Sequence, residues 1–90
     1  MELRHLRYFV TLADELHFRR AAERLHIAQP ALSQQMARLE DEVGKPLLVR
    51  SSRGVVLTDN GEALYHHAKF MLRQLEQRSE ERRVGKECRL

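Results

Sequence analysis

Apolar residues recur at helical spacing in three successive segments of the first half of the chain. The three sets are Leu3, Leu6, Val10 and Ala13; Phe18, Ala21, Ala22 and Leu25; and Leu32, Met36, Leu39 and Val43. Each set would lie on one face of an α-helix. The pattern predicts a first helix over about 2–15, a second from about 18, and a third that ends near 43. Residues 26–28 interrupt the period and predict a three-residue turn.

The third helix carries boundary residues at both ends. Pro30 suits its first turn, where the missing N–H has no partner within the helix. Gly44 suits the left-handed residue that follows a helix, and Pro46 prevents continuation. Ala28, at the expected N-cap, has no side-chain acceptor and should forgo about 1 kcal/mol of helix stability.

The period changes after Pro46. Residues 47–50 and 55–58 are β-prone and flank Ser-Ser-Arg-Gly at 51–54, which predicts a β-hairpin. Because an isolated hairpin is barely stable in water, we expect it to pack against the helices.

A last helix is predicted from Thr58, which is a good N-cap. Asp59 and Glu62 suit its positive first turn. Gly61 lies where a capping box would have Glu or Gln, so this helix start is weakened.

The last helix carries an apolar stripe at coiled-coil spacing that ends at Leu75. Its members are Leu64, Ala68, Met71 and Leu75, with Tyr65 and Leu72 alongside. The stripe is either part of the core or a contact between two subunits. We favour a dimer contact, because we expect nothing else in the chain to cover it. The predicted dimerisation residues are Leu64, Ala68, Met71, Leu72 and Leu75.

Length and charge narrow the class of protein. Ninety residues form at most one small domain with an appendage, and so small a core favours dimerisation. The net charge is +3, but residues 78–90 carry five basic and three acidic side chains and hold most of the excess. The segment 18–38, with four arginines and one glutamate, is the better indication of a nucleic-acid partner. No apolar run approaches the ~20 residues of a membrane span.

The second and third helices and their short turn form a helix-turn-helix pattern. The outward face of the third helix carries Gln29, Ser33, Gln34 and Ala37 or Arg38. Gln can pair bidentately with adenine in the major groove, and Ser can bond several base edges. A solvated face of a three-helix bundle is the alternative for this face alone.

The hairpin adds weight to the DNA interpretation. Arg50 and Arg53 bracket its tip, where arginines can lie beside phosphates or in a narrow minor groove. We predict a mainly α fold: a winged helix-turn-helix of three core helices and a hairpin wing over 1–58, then a long linker or dimerisation helix over 59–77. The predicted core of the head is Leu3, Phe9, Phe18, Leu25, Leu32, Met36 and Leu39.

Residues 18–35, FRRAAERLHIAQPALSQQ, resemble the helix-turn-helix of LysR-type transcriptional regulators. The resemblance extends over about residues 1–75. Its flanking residues are Met1-Glu2-Leu3-Arg4, Phe9, Leu39-Glu40, Gly44, Leu47-Leu48, Arg50, Leu57-Thr58 and Gly61. This chain has Ala28 where the family often has Ser, and Gln34 where many members have Arg.

The resemblance implies sequence-specific binding of double-stranded DNA, with the third helix in the major groove. It places Gln29, Pro30, Ser33 and Gln34 in that groove and assigns wing contacts to residues 50–53. With Arg38 from the outward face, the predicted DNA-binding residues are Gln29, Pro30, Ser33, Gln34, Arg38, Arg50, Ser51 and Arg53.

The resemblance also implies an assembly. The last helix would form a homodimer on an interrupted palindromic operator, and the full-length protein would be a tetramer. A periplasmic-binding-protein-like domain that senses a small-molecule inducer would follow this segment. We expect a cytoplasmic protein associated with the nucleoid.

No residue set indicates catalysis or a cofactor. The five histidines have no cysteine or carboxylate partner at ligand spacing, so we predict neither a metal site nor an enzyme. A helix-turn-helix adaptor that binds protein instead of DNA is the competing function. Residues 78–90 resemble the translation of a sequencing-library adapter, and we interpret them as a non-native tail after a truncated gene.

Overall fold

A computed structural model describes the backbone of residues 2–88 and the side chains of residues 2–76. Four helices and a two-stranded antiparallel sheet follow one another along the chain. Their bounds are α1 Leu3–Glu15, α2 Phe18–Leu25, α3 Gln29–Val43, β1 Leu48–Ser51, β2 Gly54–Leu57 and α4 Asp59–Cys88. The predicted mainly α fold with a hairpin after the third helix is confirmed.

A single residue in the left-handed (αL) backbone conformation ends each of the first three helices and turns the chain sharply. Leu16 after α1, His26 after α2 and Gly44 after α3 all have positive φ values. Their backbone amides bond carbonyls of the preceding turn, which satisfies groups that a helix end would otherwise leave free. The N-cap of α3 is Ala28, and its side chain makes no capping bond.

The core lies where α1, α2 and α3 meet and extends under the hairpin. Phe9, Leu12, Leu32 and Leu39 are completely buried. Among the residues whose side chains are described, the buried cluster is Phe9, Leu12, Phe18, Ala21, Ala22, Leu32, Met36, Leu39, Leu47 and Val55. One predicted core residue is wrong: Leu3, the first residue of α1, is 42% exposed.

The two strands lie one residue nearer the tip of the hairpin than the predicted segments 47–50 and 55–58. The strands pair Leu48 with Leu57 and Ser51 with Gly54, so Leu47 lies just before β1 instead of starting it. The ladder ends there because the Leu47 amide bonds the carboxylate of Glu40 on α3 instead of the facing residue Thr58, although the Thr58 amide still donates to the Leu47 carbonyl.

The hairpin packs against the end of α1, as a marginal two-stranded sheet requires. The amide of Val55 donates to the carbonyl of Leu16 at 3.0 Å, and the Val55 side chain is buried. Gly54 has φ +132°, and a Cβ there would lie 2.5 Å from the same carbonyl oxygen. A residue without a side chain is therefore needed for this close approach.

The start of α4 explains why its capping box is incomplete. The Thr58 hydroxyl accepts a bond from the amide of Gly61 at 3.0 Å and donates to the carbonyl of Pro46 at 2.7 Å. A Cβ on Gly61 would lie 2.1 Å from the carbonyl oxygen of Leu47. Glu or Gln cannot occupy this position, because α4 passes too close to the residue before the wing.

The second and third turns of α4 belong to the head. Ala68 is completely buried in the single chain, and Leu64 is half-buried against the core. The Tyr65 hydroxyl bonds the Asp14 carboxylate of α1, and the ammonium of Lys69 lies 2.9 Å from the Tyr65 hydroxyl. The expectation that nothing in the chain covers the apolar stripe is therefore wrong for Leu64 and Ala68.

The rest of the stripe remains accessible. Met71 is 44% exposed and Leu75 is 42% exposed, while Leu72 is half-buried. The helical backbone of α4 runs through Cys88, beyond the predicted end at residue 77. The interpretation of residues 78–90 as a non-native tail falls on side chains outside the described residues. Within the described part of the chain, no helix is long and apolar enough to cross a membrane.

Replacing Gly61 with Ala should destabilise the domain. Ala is worth about 1 kcal/mol more than Gly inside a helix, but the clash with Leu47 should outweigh this gain and lower the free energy of unfolding by about 1–3 kcal/mol. Asn60→Ala, at the exposed neighbouring position of the same helix turn, is the matched control and should be neutral or stabilising. Urea unfolding measures both. A Gly61→Ala variant as stable as Asn60→Ala would contradict the close approach.

Candidate nucleic-acid interface

The N-terminal half of α3 presents a polar face to solvent. Gln29, Pro30 and Gln34 are exposed, and Ser33 is half-buried. The opposite face carries Leu32, Met36 and Leu39, which are buried in the core. Arg38 continues the exposed face one turn after Gln34. The outward projection predicted for these side chains is therefore what the fold produces.

Arg50 lies on the inner side of the wing, against the helices. Its cross-strand partner is Val55, whose side chain is buried, and paired residues of an antiparallel sheet share a face. The guanidinium carbon lies 4.1 Å from the centroid of the Phe18 ring, which is cation–π distance. One guanidinium nitrogen donates to the hydroxyl of Ser33. Arg50 thus connects the wing to α2 and α3.

The tip of the wing is organised differently. The Ser51 hydroxyl donates to the carbonyl of Gly54 at 3.3 Å and accepts from the amide of Arg53 at the same distance, so it closes the turn. The Arg53 side chain is exposed. Among the described residues its guanidinium has no hydrogen-bond or ion-pair partner, so it is free to meet a ligand.

Glu40 positions the wing and was not among the predicted site residues. Its carboxylate accepts bonds from the amides of Leu47 at 2.7 Å and Leu48 at 3.3 Å. Because Glu40 belongs to α3, these bonds hold the start of β1 against the helix that carries the polar face. In the sequence, Glu40 stood out only as a helical glutamate near a turn and as one of the residues that carry the family resemblance, and neither feature distinguishes this role from solvent exposure.

A shallow cleft of about 200 Å³ lies between the start of α2, the start of α3 and the inner face of the wing. Its lining residues are His17, Phe18, Arg19, Gln29, Arg50, Ser51, Ser52, Gly54 and Val55. Nδ1 of His17 is buried and has no partner among the described residues. The cleft brings three predicted site residues together, namely Gln29, Arg50 and Ser51. It adds His17 and Arg19, which sequence reasoning missed.

Arg19 had a signal in the sequence. The first turn of α2 contains no acidic residue and carries Arg19 and Arg20, although a helix N-terminus is the positive end of its dipole. Cations in that place favour a bound anion. Arg19 is paired with Glu23 at 3.7 Å, but both side chains are largely exposed, so the pair is weak.

A metal site requires several ligating side chains close together. No group of three or more His, Cys, Asp or Glu side chains among them is arranged to hold a metal ion. The interface consists of amide, hydroxyl and guanidinium groups, which are hydrogen-bonding groups suited to base edges and phosphates.

Comparison with known proteins finds relatives that are named as regulatory proteins. The chain is 63% identical over 68 residues to the HTH-type transcriptional regulator BudR of Klebsiella aerogenes, and the matched region covers 76% of this chain and 48% of BudR. It is 56% identical over 77 residues to the nitrogen assimilation regulatory protein nac of Escherichia coli (strain K12), covering 86% of this chain and 25% of that protein. The chain therefore spans a quarter to a half of the length of these two relatives.

A solved structure matches the fold over nearly the whole chain. The crystal structure of the BenM_DBD/catB site 1 DNA complex superimposes with a TM-score of 0.87 and 46% sequence identity, and the match covers 94% of this chain and 97% of that one. The family model described as "Bacterial regulatory helix-turn-helix protein, lysR family" matches residues 3–62, two thirds of the chain. The chain accordingly belongs to the LysR family of bacterial regulatory helix-turn-helix proteins.

Proposed function

We propose that this chain binds double-stranded DNA sequence-specifically as the DNA-binding segment of a LysR-type transcriptional regulator. The observation that carries the proposal is the exposed polar half of α3 beside a wing whose inner arginine contacts it. The BenM structure, which shares this fold, is a complex with DNA. BudR and nac are named as regulators, which supports a regulatory and non-enzymatic role.

The third helix enters the major groove by its N-terminal half. Gln29 and Gln34 are exposed amides, and an amide can donate and accept at once on an adenine edge. Pro30 removes one N–H from the first turn and Ala28 supplies no side-chain cap. The remaining amides of that turn and the helix dipole favour a nearby phosphate.

The wing and α2 hold the DNA backbone. The free guanidinium of Arg53 reaches out from the tip, and Arg19 and His17 line the cleft behind it. Contacts of this kind give affinity and register without reading bases. We infer a location with the chromosome in the cytoplasm, because that is where a bacterial operator is found.

The whole regulator is larger than this chain. Two chains would pair through the exposed part of the α4 stripe and place two recognition helices on an interrupted palindrome. A tetramer and an inducer-sensing domain are proposals for the full-length protein. They rest on the family, because this chain spans 48% of BudR and 25% of nac.

Gln34→Ala tests base reading. Loss of a bidentate amide should cost about 1–3 kcal/mol of binding free energy on a selected operator and far less on random duplex DNA. Fluorescence anisotropy on the two duplexes measures the difference. Equal losses on both would show that Gln34 does not read a base.

Arg53→Ala tests backbone contact and separates DNA binding from an adaptor role. Wild-type affinity for DNA should fall steeply with salt, and the variant's slope of log K against log salt should be smaller by about one unit. Arg73→Ala removes the same charge from an exposed position of α4, is the matched control, and should keep the wild-type slope. A wild-type chain without salt-dependent DNA binding would favour a protein-binding adaptor. An unchanged slope with lost discrimination between sites would instead assign Arg53 to direct readout.

Met71→Asp with Leu75→Asp tests the dimer. Two charges in an apolar contact should dissociate the subunits, while the head should stay folded because Leu64 and Ala68 are untouched. His66→Asp with Arg73→Asp places two charges at exposed positions seven residues apart and is the matched control. Sedimentation should show a dimer for wild type and control and a monomer for the first variant. A wild-type monomer at high micromolar concentration would contradict pairing, and an unfolded variant would assign Met71 and Leu75 to the core.

A further inference from the structure

The two arginines of the wing occupy different environments. Val49 and Val56 pair across the strands and are 53% and 57% exposed, so they mark the outer face of the hairpin. Successive residues of a strand point to opposite faces, and Arg50 therefore shares the inner face with buried Val55. Arg53 lies at the tip, where its guanidinium has no partner among the described residues. A shared role as backbone contacts does not follow from this arrangement.

The guanidinium of Arg50 is held on two sides. Its carbon lies 4.1 Å from the centroid of the Phe18 ring, and Phe18 is itself only 7% exposed, so the ring is a fixed platform. One nitrogen donates to the Ser33 hydroxyl. A guanidinium has five N–H donors, so the others are left for solvent or a ligand at the polar face of α3.

The contact also decides what the Ser33 hydroxyl can do. A guanidinium has donors and no acceptor, so the oxygen of Ser33 is the acceptor in this bond. The Ser33 hydroxyl has no other hydrogen-bond partner among the residues whose side chains are described. Its O–H remains available to donate, and one of its two lone pairs is occupied. Because the bond comes from a cation, it polarises the hydroxyl, which strengthens the O–H as a donor and weakens the second lone pair as an acceptor.

We propose that Arg50 is a positioning residue for base reading, which orients the Ser33 hydroxyl as a hydrogen-bond donor toward the major groove. This inference rests on the proposed function. Guanine, adenine and thymine all present a major-groove acceptor, while cytosine presents only its amino donor. Ser33 should therefore favour guanine, adenine or thymine over cytosine at the position it faces, and this preference depends on Arg50.

The experiment is selection from a duplex library with a randomised central segment, followed by affinity measurements on single-base variants of the selected sequence. The variants are Arg50→Lys, Ser33→Ala and both together. Arg50→Lys keeps the charge but loses the planar fork that fits Ser33 and Phe18 at once. Arg53→Lys makes the same exchange at the tip and is the matched control.

Wild type should discriminate about five- to tenfold against cytosine at one position of each half-site. Arg50→Lys and Ser33→Ala should each lose this discrimination at the same position. The double variant should lose no more than either single variant, and Arg53→Lys should keep the wild-type profile. A merely structural role for Arg50 would weaken binding to all sequences equally.

The outcomes separate this inference from the function on which it rests. If wild type enriches no sequence, the proposed function fails. If wild type enriches a sequence but Arg50→Lys keeps its base profile, or if the effects of the two single variants multiply, the Arg50 inference fails alone. Circular dichroism checks that each variant is folded. If Arg50→Lys unfolds, Ser33→Ala still tests the proposal, because Ala favours a helix and should leave α3 folded. A Ser33→Ala variant with unchanged base preference overturns the proposal.

Discussion

The carboxylate of Glu40 binds the backbone amides of Leu47 and Leu48, and the relative placement of α3, the wing and α4 depends on this junction. Every part of Leu47 is in contact with the fold. Its side chain is buried, its amide donates to the Glu40 carboxylate of α3, and its carbonyl accepts a bond from the amide of Thr58 at 3.0 Å. The same carbonyl lies against Gly61. One extended residue thus sets the distances between the base-facing helix, the hairpin and the long helix. A charge-assisted bond to two amides is suited to this role because it is stronger than a neutral one.

A second attachment prevents the hairpin from pivoting about that junction. Val55 bonds the carbonyl of Leu16, and Gly54 allows the strand to approach the end of α1. With both strands held, the inner face of the wing is pressed on the helices and only the tip projects. Arg50 consequently lies at the inner face of the wing beside α3, whereas Arg53 lies at the exposed tip. A wing fixed in this way loses little further conformational entropy when a ligand binds, which favours affinity.

The long helix α4 combines two roles along its length. Its first turns complete the head, through Ala68 and the bonds among Asp14, Tyr65 and Lys69. Its later turns leave Met71 and Leu75 partly exposed. A helix that is rigid across both parts can transmit the geometry of a subunit contact to the head, because α-helices bend little over a few turns. The spacing of two recognition helices on DNA would then be set by how the α4 helices pair.

The amino-acid sequence by itself determined the order of the elements, their ends to within a residue or so up to the start of α4, and the outward face of α3. The elements and their ends follow from local signals, namely the apolar periodicity and the boundary residues Pro30, Gly44 and Thr58. These act within one or two helical turns, so they can be interpreted without knowing the fold. The tertiary structure alone decided that Glu40 holds the wing, that Arg50 faces Ser33, and that α1 and the core cover part of the α4 stripe. These contacts join residues separated by seven to more than fifty positions, and their partners depend on strand register and helix packing. A shift of one residue in the hairpin would have turned Arg50 outward, because successive residues of a strand point to opposite faces.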